Sequence, residues 1–182
     1  MKHVDLSSFN NDDYRPGSRM KRALWYVCSL VFFQSYLFPF SSIKAGILRL
    51  FGARVGKGLV IKPSVRIKYP WFLEIGDHVW IGEGVWIDNL AQVTVGSHVC
   101  ISQEAMLLTG NHDYKRSTFD LTAAPITLEN GVWIGARALV LPGAVCENHA
   151  VVAAGSVFSG RADAYGIYRG NPAEKIKTRV IT

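Results

Sequence analysis

Between Val55 and Val157 the apolar positions follow neither a helical nor a simple strand period. Four segments align without gaps: "RVGKGLVIK" from Arg54, "EIGDHVWIG" from Glu74, "TVGSHVCIS" from Thr94 and "TLENGVWIG" from Thr127, with start-to-start steps of 20, 20 and 33 residues. Within each, an aliphatic residue returns every six positions: Val55, Ile61, Ile67; Ile75, Ile81, Ile87; Val95, Ile101, Leu107; and Leu128, Ile134, Val140, continuing through Cys146 and Val152. Four residues after these come small or branched side chains such as Val79, Val85, Ala105, Val132, Ala138, Ala144, Ala150 and Ser156. A period of six suits a short strand plus a corner, because alternate side chains of a strand share a face. Three such units close one turn of a three-sided prism, and two extra residues per 20-residue turn predict a corner bulge. Gly56, Gly76, Gly82, Gly96 and Gly135 follow the inward aliphatics, where a tight corner needs unusual dihedrals or no Cβ. The expected product is a parallel β-helix, in which each turn is stable only against its neighbours.

This reading divides the chain into an N-terminal helical cap (1–54), a β-helix (55–160) interrupted by a loop (111–125), and a tail (161–182). The open ends of a β-helix carry unpaired backbone groups that must be covered. Helices predicted near Leu24–Phe38 and after Ser41 or Ser42 serve one end. The second of these puts Ile43, Ile47, Leu48 and Phe51 on one side and stops at Gly52. At the other end "GNPAEKIKTR" predicts a turn and a short helix, with Asn171 capping and Pro172 in the first turn.

Several stretches resemble the hexapeptide-repeat acyltransferases: "LRLFGARVGKG", "YPWFLEIGDHVWIG", "SQEAMLLTGNHDY", "API", "GVWIGARALVLPGAV" and "GNPA". The resemblance covers nearly the whole chain and is nearest to the O-acetyltransferases of colanic acid biosynthesis, then to the maltose and galactoside acetyltransferases. It implies an all-β left-handed parallel β-helix, a homotrimer, and acetyl-CoA as co-substrate with no metal. The acceptor it implies is a sugar hydroxyl of a surface polysaccharide or of its lipid-linked or nucleotide-linked precursor.

The 33-residue step exceeds the 20-residue one by about 13 residues, an insertion between Leu107 and Leu128. Loop closure grows only slowly with length, so a corner accepts such an insertion cheaply, and long loops on rigid scaffolds often carry function. His112 stands at its base. Taken alone, a loop histidine is more often a bland polar residue; the resemblance makes it the catalytic base that takes a proton from the acceptor hydroxyl. An imidazole titrates near neutral pH and suits that task. Asp113 is adjacent in sequence, which does not make it the orienting group.

The resemblance also implies backbone contacts to acetyl-CoA at Ala136 and Ala154, with Trp133 near the thioester end. Lys175, Lys177 and Arg179 are the candidates for the CoA phosphates, although Glu174 stands where related enzymes usually carry a basic residue. Trp80 and Trp86 read instead as outward aromatics at an interface between subunits. Asp88 and Asn89, at a corner one turn before His112, are candidate sugar-binding residues and equally plausible turn formers.

His78, His98 and His149 occupy equivalent positions and should share one corner. They have no acidic or thiol partner beside them, so water-facing corner residues are favoured over a metal site. His3 lies in the terminal tail.

Composition adds bounds. The net charge of +6 lies in two basic clusters, one before Val55 and one in the tail. No basic stripe with interleaved aromatics runs across the repeat, which argues against nucleic acid. Cys28, Cys100 and Cys146 are odd in number and sit in apolar contexts, as small hydrophobes in a reducing, cytoplasmic compartment do. The first 22 residues do not resemble a signal peptide. Residues 23–43 carry no charge, but Gln34, the serines and Pro39 argue against a bilayer span. Two readings remain: a helix packed over the domain end, or one lying on the inner membrane surface with Arg19, Lys21, Arg22 and Lys44 near lipid phosphates. The alternatives to sugar O-acetylation are N-acetylation of an amino sugar, and a β-helix without acyl transfer, either a metal-dependent hydratase or a scaffold.

Overall fold

Strands of two or three residues cannot stand alone, so the hexads must find partners one turn away. A computed structural model describes residues 3–182 as a left-handed parallel β-helix in which they do. The first face stacks six strands in the order Arg54–Val55, Leu73–Ile75, Val93–Val95, Ile126–Leu128, Val145–Cys146 and Arg161–Ala162. The second face runs from Val60–Ile61 to Gly166–Gly170 and the third from Arg66–Ile67 to Val157–Phe158. The registers join the inward hexad residues to one another: Val55, Ile75, Val95, Leu128 and Cys146 on the first face, Ile61, Ile81, Ile101, Ile134 and Val152 on the second, Ile67, Ile87, Leu107 and Val140 on the third. All except the half-buried Val55 are buried, as are the small residues four positions later. Each buried aliphatic contributes about 1.5–3 kcal/mol, which the stacking of successive coils makes available.

The corners divide the glycine work in two. Gly56, Gly76, Gly82, Gly96 and Gly135 have ordinary negative φ; a Cβ there would strike the next coil, as at Gly76, where it would lie 2.7 Å from Gly96 C and Ser97 N. The left-handed conformation falls two residues after these glycines or their counterparts in other coils, at Gly58, Gly131 and Gly155 but also at His78, His98 and His149, whose φ values are 55°, 59° and 60°. The His78 and His98 rings stack at 5.3 Å, and His149 stacks on Tyr165 at 4.9 Å. Among the described residues, no group of three His, Cys, Asp or Glu is close enough to hold a metal.

The cap matches the open edge of the first coil group by group. Helix α1 (Arg19–Cys28), capped by Ser18, continues as a π-helical turn (Ser29–Gln34), and α2 follows at Ser41–Leu50. Trp25, Phe33 and Leu48 enter the common core. Trp25 Nε1 donates to Ile67 O at 2.8 Å, Ile61 N donates to Ser41 Oγ at 3.0 Å, and Arg49 donates to Val55 O and Gly56 O at 3.0 and 2.7 Å. The expected inward side of α2 is shifted. Lys44, Ala45 and Leu48 are buried, Ile47 and Phe51 are half-buried, and Ile43 is exposed. The helix rolls this way because Lys44 Nζ reaches Lys62 O at 3.2 Å, above the Phe33 ring. Burial pushes the Lys44 ammonium pKa down.

The C-terminal helix expected after Asn171 is not formed. Ala173–Thr178 is a strand, antiparallel to Gly166–Gly170, and Asn171–Pro172 lies in the turn between them. The last strand of the second face would otherwise expose a row of unpaired groups, which an extended segment pairs and a helix cannot.

Two glycine substitutions separate these roles. Gly76→Ala, which meets backbone on the next coil, should destabilise by at least about 2 kcal/mol. Gly155→Ala has no atom within 4 Å of the new Cβ and a φ of +68°, so only the left-handed conformation should cost, about 1 kcal/mol. Thermal unfolding of the two variants checks the order.

Candidate active site

The first and second corners turn with the same few residues in every coil, whereas the third corner, where the chain passes from the third face back to the first, collects the irregularities. The first two coils carry their extra residues there. In the first, a one-turn helix, Pro70–Phe72, forms the bulge. Asn89 holds it: Nδ2 donates to Tyr69 O and Phe72 O at 2.6 and 3.1 Å, and Oδ1 accepts from Tyr69 N at 3.0 Å. Asn89 is fully buried, takes no place in the neighbouring cleft, and serves the fold.

The third coil carries the long insertion at the same corner, as a hairpin rather than an open loop. Gly110–His112 pairs antiparallel with Leu121–Ala123, His112 opposite Leu121. Buried Thr109 fixes its base, donating from Oγ1 to Asp88 O and accepting from Ala91 N, both at 3.0 Å. The tip is braced by Arg116, 2.8 Å from Asp120 and 3.6 Å from Asp113.

His112 is held from three sides. Its Nδ1 lies 2.8 Å from Phe119 O. A carbonyl only accepts, so Nδ1 carries the proton and the neutral ring keeps its lone pair on Nε2. The Phe119 ring stacks on the imidazole at 4.3 Å, nearly parallel, and Phe9 meets it at 5.8 Å. Phe119 has φ 53°, a conformation a bulky side chain adopts only under constraint. The Asp113 carboxylate faces Arg116 and the Lys115 N–H, and the orienting group of His112 is a backbone carbonyl instead.

The ring lines a cleft of about 1260 Å³ between the hairpin and the N-terminal segment. Its far wall comes from residues that sequence reasoning did not use. Asp5 N donates to Ser117 O at 2.9 Å and Tyr14 OH to Leu90 O at 2.7 Å, which ties the segment across the corner. Phe9 and Tyr14, aromatics in an otherwise polar stretch, were the available signal. Arg15, Arg19, Arg22 and Lys68 line the cleft with Asp88. Lys68 Nζ stands 2.8 Å from Asp88 Oδ1 and pairs with it.

The candidate cofactor residues lie elsewhere. Ala136 and Ala154 stack on the second corner, between the second and third faces, where Gly135 lets the Ala154 N–H approach closely. At the first corner the matching N–H groups of Lys57, Asp77 and Ser97 donate to side-chain oxygens of the adjoining coil. Ala136 and Ala154 have no such neighbour, and their N–H groups make no hydrogen bond within the described chain. Trp133 is an outward residue of the second face, half exposed, with Nε1 donating to Ser102 Oγ at 2.9 Å. Trp80 is exposed on the same face, and Trp86 lies under the Arg66 guanidinium at 4.4 Å. In the C-terminal hairpin Lys175 pairs with Asp163 at 2.8 Å and Arg179 donates to Gly131 O and His149 O, while Lys177 is exposed without an ion-pair partner among the described residues. Glu174 stands opposite Arg169.

The coils, the corner insertion and its histidine define a hexapeptide-repeat β-helix with a cleft at one corner. No protein-family model matches the chain. It is 38% identical over 179 residues, 98% of both chains, to a protein of Escherichia coli K12 named as the colanic acid biosynthesis acetyltransferase WcaF. It is 31% identical over 108 residues to the galactoside O-acetyltransferase of the same organism, spanning 58% of this chain and 53% of that one. In three dimensions it superposes on a hexapeptide-repeat acetyltransferase of Vibrio cholerae complexed with acetyl coenzyme A, with a TM-score of 0.81 at 24% identity, covering 95% of this chain and 94% of the other. The chain belongs to the hexapeptide-repeat acetyltransferases, in the colanic acid biosynthesis acetyltransferase family, and is an acyltransferase.

The Asn89 geometry makes a prediction. Asn89→Ala strands the Tyr69 and Phe72 groups and should destabilise by about 2–4 kcal/mol, with a matching fall in melting temperature. A substrate-binding role alone would leave the melting temperature unchanged and raise the acceptor KM.

Proposed function

We propose that the protein transfers an acetyl group from acetyl-CoA to a hydroxyl of a sugar destined for a surface polysaccharide, with His112 as general base. One observation carries the reading: the Phe119 carbonyl occupies Nδ1 and leaves Nε2 as the lone-pair nitrogen of a ring lining the cleft. Nε2 takes the proton of the acceptor hydroxyl as that oxygen attacks the thioester carbonyl carbon. The tetrahedral adduct collapses, the carbon–sulfur bond breaks, and the imidazolium returns the proton to the CoA sulfur. General-base help of this kind accelerates transfer about 10²–10⁴-fold.

The free N–H groups of Ala136 and Ala154 suit the amide oxygens of a pantetheine arm, with Trp133 on the adjoining face toward the thioester. They occupy a different corner from His112, so a complete site needs a second copy to bring one chain's second corner to another's third. This supports the homotrimer, and the outward Trp80 and Trp133 suit such an interface. Of Lys175, Lys177 and Arg179, Lys177 has no ion-pair or side-chain hydrogen-bond partner among the described residues, which suits it to meet a CoA phosphate. Arg15, Arg19 and Arg22 around the cleft favour an acceptor sugar joined to phosphate, whether nucleotide-linked or lipid-linked. Asp88, a carboxylate that lines the cleft beside Lys68, is suited to accept from a sugar hydroxyl. Acetyl-CoA supply and three free thiols fit the cytoplasm; burial pushes the Cys146 thiol up to about 12, which leaves it inert.

His112→Ala should lower kcat by about 10²–10⁴-fold with unchanged thermal unfolding. Acetyl-CoA consumption is measured with nucleotide-linked and lipid-linked sugars, and the product is analysed. Undiminished turnover in the variant removes His112 as base, and an amide product replaces O-acetylation with N-acetylation.

A further inference from the structure

Charge is distributed unevenly along this chain. Residues 14–73, which comprise the cap and the first coil, contain eleven Lys and Arg and no Asp or Glu; the rest contains nine basic and fourteen acidic residues. One end of the prism is therefore strongly cationic while the remainder is net anionic. Arg54 and Lys68 are compensated by Glu74 and Asp88 of the next coil. Lys57, Lys62 and Arg66 are exposed and make no ion pair among the described residues.

The same end carries an apolar surface that no described residue covers. On α1 and the turn after it, Trp25 and Phe33 face the core, while Met20, Leu24, Val27 and Val31, spaced by four, three and four residues, form an exposed stripe. Leu37, between the helices, is 92% exposed, and Leu50, at the end of α2, is 82% exposed. Isolated exposed apolar residues are ordinary, but a run of them along one helix, rimmed by cations, marks an interaction site. Among the described residues no helix is long and apolar enough to cross a membrane.

We propose that this capped end is a docking surface for an anionic lipid bilayer, on which α1 lies flat. The apolar stripe enters the region between headgroups and acyl chains, and the surrounding lysines and arginines meet lipid phosphates. Charge selects this occupant. A second copy docking through the same face would bring together two surfaces built mainly from a segment with eleven basic and no acidic residues, which self-repulsion opposes; an anionic membrane neutralises them. Lys44, which the sequence suggested for the phosphates, takes no part because it is buried against Lys62 O. Lys21 sits over the Trp71 ring, 4.3 Å from its centroid. The proposal stands apart from the chemistry at His112.

Co-sedimentation of the native protein with vesicles tests it. Binding to equimolar phosphatidylglycerol–phosphatidylcholine vesicles is expected, at least about tenfold tighter than to pure phosphatidylcholine and about tenfold weaker in 0.5 M salt. The variant Leu24→Asn/Val27→Asn/Val31→Asn should lose at least about 30-fold in partitioning, with unaltered thermal unfolding and acetyl-CoA turnover on a water-soluble acceptor. The lipid and salt comparisons use the native chain and decide the matter even where the triple variant fails to fold. No binding to either vesicle, or equal binding to both, overturns the proposal. So does sedimentation velocity showing a further association of the native protein that the triple variant loses, without vesicle binding, since the face then serves a second copy.

Discussion

The structure depends on register: each inward aliphatic sits directly over its counterpart one turn away, as Ile61, Ile81, Ile101, Ile134 and Val152 do on the second face. Successive coils can lie one strand spacing apart only where the corners stack backbone on backbone. That is why Gly56, Gly76, Gly96 and Gly135 leave no room for a Cβ. Slipping one residue would turn every buried aliphatic outward. The coil is consequently rigid along its faces, and variation is confined to its corners and ends.

The candidate site lies where that constraint relaxes. The third corner accepts two extra residues in the first two coils and a hairpin in the third, while the strands on either side keep their pairing. A hairpin anchored at Thr109 can hold Phe119 in a strained conformation, because the strain is set against a scaffold that does not yield. The stack and the carbonyl of Phe119 then fix His112 without a carboxylate partner. The second corner, by contrast, stays regular and offers free N–H groups at Ala136 and Ala154.

Much of this was legible in the residues. The hexads located the stacked inward aliphatics from Val55 to Val152, though not Leu73, Val93, Ile126 or Phe158, and the 33-residue step located the insertion, because both follow from a period that only one architecture satisfies. The tail was misread because "GNPAEKIKTR" has capping residues that suit a helix, whereas the open edge of Gly166–Gly170 demands a strand; local preference yielded to a tertiary need. Lys44 shifted the inward side of α2 for a related reason, since its reach to Lys62 O depends on the first coil and not on helical periodicity. Asn89 could equally have formed a turn or met a sugar, and only its contacts with Tyr69 and Phe72 decide between them. The N-terminal wall was missed because Phe9 and Tyr14 meet His112 and Leu90 across about a hundred and about eighty positions, and no periodic pattern encodes such contacts.

The central claim is that the fold presents His112 with its lone pair on Nε2. Nitrogen NMR on the protein with ¹⁵N-labelled histidine, above the pH at which the ring protonates, reports this directly. The expected His112 spectrum has a protonated Nδ1 and an unprotonated Nε2. A ring protonated on Nε2, or one exchanging freely between the two forms, would contradict the account.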